Sequence, residues 1–143
     1  MEVLTEPRAR EWATTLIEMT RDSEWDDWSA DHLLADRPEK WERSLIACEG
    51  DEPVGWAIVS RTEHAAHLHH LVVAPELRGR RIGELLVTEA LRRNSDRASL
   101  TLKVHPSNEG AIRFYDRLGF RKQGVSPSGY LEFAHDTKQR ENT

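Results

Sequence analysis

The chain has 143 residues, 38% of them hydrophobic and 31% charged, which suits one soluble globular domain and not a disordered segment. A formal net charge of −5 argues against a general nucleic-acid binder, whose phosphate affinity needs concentrated positive charge. No apolar run approaches the ~20 residues of a membrane-spanning helix. Met1 to Glu6 lacks the basic and apolar regions of a secretory signal, and the lone Cys48 has no internal disulfide partner; a cytoplasmic protein is expected.

Pro7 suits the first turn of a helix, and Ala9, Trp12, Ala13 and Leu16 extend helical spacing to about Met19. A short helix is predicted near Ala30 to Ala35. Ser44 to Cys48 and Val54 to Ser60 read as strands around the Gly50–Pro53 turn, and His67 to Val73 as a third strand stopping at Pro75. A long helix begins near Ile82, with Ile82, Leu85, Leu86 and Ala90 on its apolar face. Ser99 to Val104 is a strand. Ser107 or Asn108 caps a helix that buries Ala111, Phe114, Tyr115 and Leu118 and ends at Gly119. Phe120 to Val125 and Tyr130 to Ala134 close the series as strands. The order predicts an α/β domain over residues 1–136 with one mixed sheet, followed by a polar tail at 137–143.

Three segments carry chemistry. The first, Val73 to Gly83, runs strand, turn, helix, so unsatisfied N–H groups and the helix dipole meet Arg78, Arg80 and Arg81 at one place, a favourable seat for a pyrophosphate. It is neither a Walker A loop nor a dinucleotide fingerprint. It resembles the acetyl-CoA signature of the GNAT superfamily, Arg/Gln-x-x-Gly-x-Gly/Ala, with Arg78 in the first position and Gly83 in the last. Arg81 stands where the pattern has its middle glycine; a helical backbone there is expected to tolerate it, whereas a positive φ would cost about 1 kcal/mol.

The second segment, Val104 to Phe120, has Asn108, Ala111, Phe114-Tyr115 and Gly119-Phe120 at the spacing of the same superfamily's C-terminal motif. The resemblance implies the GNAT fold, a mixed and mostly antiparallel twisted sheet flanked by helices, with acetyl-CoA as co-substrate. It implies that Leu71, Val72, Val73, Arg78, Gly79, Arg80, Arg81, Ile82, Gly83 and Asn108 bind that co-substrate. Tyr115 matches the tyrosine that protonates the departing thiolate; a phenol with an intrinsic pKa of about 10 can donate at neutral pH.

The third segment is Ala66-His67-Leu68-His69-His70-Leu71. Strand alternation puts His67 and His69 on one side and His70 on the other. No Cys-x-x-Cys or His-Glu-x-x-His accompanies them, so no metal is expected. An alkylammonium must lose a proton before it can attack, and imidazole can take it. Within the GNAT enzymes this strand is similar to the arylalkylamine N-acetyltransferases, whose paired histidines deprotonate the amine; His67 and His69 match them. The expected pH profile rises through a limb near 6 to 8, from imidazole or from the amine.

Glu24, Trp25, Asp26, Asp27 and Trp28 offer carboxylates and ring faces that suit an ammonium, and are candidates for the acceptor site. The expected function is acetylation of a primary amine, foremost a small-molecule amine. A protein N-terminus or lysine is the alternative acceptor, and a non-catalytic acyl-CoA-binding module the alternative class. No nucleic-acid or membrane partner is expected, and a homodimer is left open.

Overall fold

The computed structural model describes residues 1–21 and 28–137. Thr5 opens the first helix by accepting from the Arg8 amide at 3.3 Å. The single helix expected from Pro7 to Met19 is two, α1 (Glu6–Glu11) and α2 (Ala13–Glu18), because Trp12 leaves helical geometry at φ −101°, ψ 11°. Trp12 packs on the same cluster as Ala9 and Leu16, so two short helices satisfy the apolar spacing that one long helix would have.

Two further short helices follow, α3 (Ala30–Leu34) and α4 (Lys40–Arg43). The fully buried Lys40 caps the end of α3, donating to Leu33 O and, at 2.6 Å, to Ala35 O. Burial, then the nearby Arg37, pulls its ammonium down to about 8.

Strands β1 (Glu2–Val3), β2 (Leu45–Glu49), β3 (Glu52–Arg61), β4 (Ala66–Val73), β5 (Ser99–Val104), β6 (Arg121–Val125) and β7 (Leu131–Asp136) form one seven-stranded sheet in the order β1-β2-β3-β4-β5-β7-β6. Only β4 and β5 run parallel, so the sheet is mixed and mostly antiparallel, as expected. One face buries Val59, Leu68, Leu100, Leu102 and Phe133 under α5 (Ile82–Arg93) and α6 (Glu109–Arg117). The other buries Trp56, Ile58 and Val72 under Ala9, Leu16 and Leu33. Trp56 is fully buried, and its indole N–H donates to Leu16 O at 3.1 Å. Leu85, expected on the apolar face of α5, is 58% exposed; Leu86, Val87, Ala90 and Leu91 form that face instead.

Two irregularities position the site. The β4–β5 pairing holds from Ala66–Leu100 to Leu68–Leu102 and goes no further, so the strands part beyond it. On the other edge of β4 the register steps from Val59↔Leu68 to Ile58↔His70, which leaves His69 as the extra residue of a β-bulge.

Candidate functional site

Where β4 and β5 part, two clefts meet. One, of about 1290 Å³, runs along Leu71, Val72 and Val73 to the loop before α5, where Arg78, Gly79, Arg81, Ile82 and Gly83 line it. The other, of about 930 Å³, lies over His67, His69 and His70. Leu71, Asn108, Ala111 and Tyr115 belong to the walls of both. A molecule in the first cleft and a molecule in the second would meet at these side chains.

The first cleft has the features of a seat for a phosphorylated, elongated ligand. The first turn of α5 carries N–H groups with no intrahelical acceptor, and the helix dipole adds positive character there. Arg78 is tied back by its Nε to Val73 O at 3.2 Å, which holds the loop against the end of β4. Arg80 lies in the loop beside the residues that line the cleft. Arg117 of α6 does line it and was not singled out by sequence. Gly83 packs toward α6, and a Cβ there would make ordinary van der Waals contact with Phe114 Cζ at 3.4 Å and Val73 Cγ2 at 3.6 Å.

Arg81 is not helical. It takes φ 66°, ψ 15°, left-handed geometry, as the N-cap of α5, and its carbonyl accepts from the Leu85 amide at 3.0 Å. The chain must reverse out of the loop into the helix here, and the side chain does not change that demand. Arg81→Gly is therefore expected to stabilise the fold by about 0.5 kcal/mol, the strain released less the freedom glycine gains when unfolded. A urea melt reads this directly; an unmoved midpoint would mean the arginine side chain compensates its own strain.

Asn108 is the N-cap of α6, its Oδ1 accepting from the Ala111 amide at 3.2 Å. The side-chain oxygen thus starts the helix, and its amide nitrogen is the atom left to face the clefts. Tyr115 is 8% exposed, held by edge-on contacts with Phe114 and Phe120 at ring-centroid distances of 5.0 and 5.4 Å.

The bulge at His69 overturns the simple alternation of the histidine strand. Ser60 pairs with His67 and Ile58 with His70, and Ser60, Ile58 and Trp56 lie two apart on β3, on one face. His69 reaches the same Ser60, its Nε2 2.7 Å from Oγ. His67, His69 and His70 therefore share a face; the expected separation of His70 does not occur. His70 stacks on Trp28 at 4.4 Å and 5°, the two forming an aromatic wall of the cleft, and packs behind it against the buried Trp56. Of the acidic and aromatic segment proposed from sequence, Trp28 alone is described; Glu24, Trp25, Asp26 and Asp27 lie outside the described residues.

His67 and His69 touch at 4.7 Å between ring centroids. His67 Nδ1 is 2.6 Å from Thr101 Oγ1, whose hydroxyl donates to Ala66 O at 3.4 Å. His67 Nδ1–H is then the donor, which leaves Nε2 as a proton acceptor. Burial, with Lys103 and Arg37 adding, pushes His67 down to about 4. Burial, then His67, Arg37, Lys40 and Lys103, pushes His69 down to about 3. Both imidazoles are neutral at pH 7. With both rings shifted down, a limb near 6 to 8 is not expected from them.

Among the described residues no three His, Cys, Asp or Glu side chains are grouped to hold a metal, and no helix is long and apolar enough to cross a membrane. The Cys48 thiol sits half-buried on β2, its pKa raised by burial, away from both clefts.

The description "Acetyltransferase (GNAT) family" matches residues 8–120. The peptidyl-lysine N-acetyltransferase YjaB of Escherichia coli is 37% identical over 78 residues, 54% of this chain and 48% of that protein. An uncharacterized N-acetyltransferase of Methanocaldococcus jannaschii is 32% identical over 111 residues, 71% of this chain and 47% of that protein. The chain thus spans about half the length of the curated relatives it matches. In fold it resembles the PaiA N-acetyltransferase of Thermoplasma acidophilum, solved in complex with coenzyme A, with a TM-score of 0.75 and 20% identity over 94% of this chain and 96% of that one.

Proposed function

Because the chain belongs to the acetyltransferase (GNAT) family, we propose that it moves the acetyl group of acetyl-CoA onto a primary amine, with a protein lysine as the acceptor. The observation that carries this reading is the wall shared by the two clefts, Leu71, Asn108, Ala111 and Tyr115, where a donor in one and an acceptor in the other would come within reach.

Acetyl-CoA supplies an activated thioester when bound. The loop from Arg78 to Gly83 and the start of α5 would hold its phosphates, and the unpaired edge of β4 at Leu71 to Val73 would align its arm. A backbone N–H there would bind the thioester oxygen as charge develops on it. His67 and His69 would pass the proton of the incoming ammonium away from the site, and Tyr115 would donate one to the leaving sulfur.

The lysine acceptor is supported by the name of YjaB, and by a cleft whose rim includes Tyr130, 41% exposed, where a peptide could lie. This replaces the small-molecule amine expected from sequence, and with it the resemblance of the histidine strand to the arylalkylamine enzymes. That expectation drew on a handful of residues, and the name of YjaB supports lysine instead. The test is thiol release from acetyl-CoA with lysine peptides, peptides bearing free N-termini and small amines. Lysine peptides are expected to give the highest kcat/KM. A clear preference for arylalkylamines would return the acceptor to small molecules, and no binding of acetyl-CoA at millimolar concentration would end the transferase reading.

A further inference from the structure

Among the described residues, the acidic and basic side chains on the walls of the histidine cleft, the histidines aside, are Arg37, Lys103 and Glu132. Arg37 comes from the turn between α3 and α4, Lys103 from β5 and Glu132 from β7. Among the described residues, Arg37 and Lys103 take part in no side-chain hydrogen bond or ion pair. Several other arginines are held in ion pairs: Arg8 with Glu2, Arg10 with Glu6, Arg43 with Asp96, Arg61 with Glu39, Arg92 with Glu89. Glu132 stands opposite Lys103 in the β5–β7 register and offsets part of the charge without forming an ion pair with it. Among the described residues, the walls of the cleft thus carry two basic side chains against one acidic one.

This positive field reaches the transfer centre, since Arg37 and Lys103 both disfavour the charged forms of His67 and His69. A second ammonium on the acceptor would enter against it; a carboxylate or phosphate would enter with it. Resting on the acetyltransferase reading, we propose that the acceptor carries an anionic group beside the amine to be acetylated, and that Arg37 and Lys103 hold that group. For a protein acceptor this means a lysine flanked by acidic residues; the same chemistry could be the free carboxylate of a small amino acid. Polyamines and polybasic peptides are disfavoured. Arg37 and Lys103 thus set specificity, while the histidines and Tyr115 serve the reaction.

The test uses CoA-saturated protein and fluorescein-labelled, end-capped pentapeptides with a central lysine flanked by glutamates, glutamines or arginines. Anisotropy gives Kd without turnover, and thiol release gives kcat/KM. The wild type is expected to rank glutamate over glutamine over arginine, spanning about tenfold in Kd. The ranking should flatten in the Arg37→Gln/Lys103→Gln double variant and steepen in Glu132→Gln. Nα-acetyl-lysine against its amide distinguishes the free carboxylate: a preference confined to that pair keeps the anion site and moves the acceptor to small amino acids. Equal affinities for all three peptides with no preference in the Nα-acetyl-lysine pair, or a ranking untouched in the double variant, would overturn the proposal even if lysine is acetylated. A ranking in Kd without any acetylation would instead overturn the lysine acetyltransferase reading and leave the anion site standing.

Discussion

Tyr115→Phe is expected to lower kcat by about 10²-fold or more while CoA affinity and thermal stability stay near wild type. The ring is buried between Phe114 and Phe120, and phenylalanine preserves that packing, so the variant removes one hydroxyl from a wall common to both clefts. Without a donor the sulfur must leave as the free anion, which is the harder departure. The effect should appear in kcat and kcat/KM alike, because the interaction is made as the bond breaks and not on binding. Single-turnover rates separate this from slow product release. If the single-turnover rate is unchanged, the thiolate leaves unassisted or another group supplies the proton.

The elements that sequence revealed best are those whose signal is local. The pattern from Asn108 to Gly119 contains its own cap, apolar stripe and stop, and α6 forms there with Asn108 as N-cap. The strands of the sheet were legible for the same reason. What sequence hid was set by contacts between distant segments. No glycine or proline marks the bulge at His69; it arises from how β4 pairs with β3, and it alone brings His70 to the face of His67. Trp12 breaks a helix whose spacing reads as continuous, since burial of its ring outweighs one turn of helical bonding. β1 and α4, with 2 and 4 residues, are too short to carry a period. Arg81 could be helical or left-handed by type, and the loop geometry decided. Arg37 lies in a polar turn and Lys103 on the exposed side of an alternating strand, neither within a motif, and only the packing of the α3–α4 turn beside the parted strands makes them walls of one cleft.

His67→Gln and His69→Gln are each expected to cost modestly in kcat/KM, and the double variant about 10²-fold or more, because either imidazole can pass a proton to water when the other is absent. With folded pKa values of about 4 and about 3, neither ring stores the proton at pH 7; each accepts it briefly and hands it on. The pH profile follows. Between pH 5 and 8 the imidazoles stay neutral, so kcat/KM should climb with the fraction of free amine and bend at the amine's own pKa, about 10.4 for a lysine. An acceptor of lower pKa should move the bend down with it. A bend fixed near 6 to 7 for every acceptor would mean that an enzyme group titrates there and that the two histidines are not held as the structure has them. Stability gives an independent reading. Because their folded pKa values are depressed below the unfolded value of about 6.5, the unfolded chain binds more protons as pH falls from there. The folded protein should lose stability progressively as pH drops from about 6.5 toward 4 and 3. The double glutamine variant should show a shallower decline over that window. If it retains both full activity and the wild-type acid profile, the histidines form only a polar strand face, and the base must be sought among other groups of the cleft.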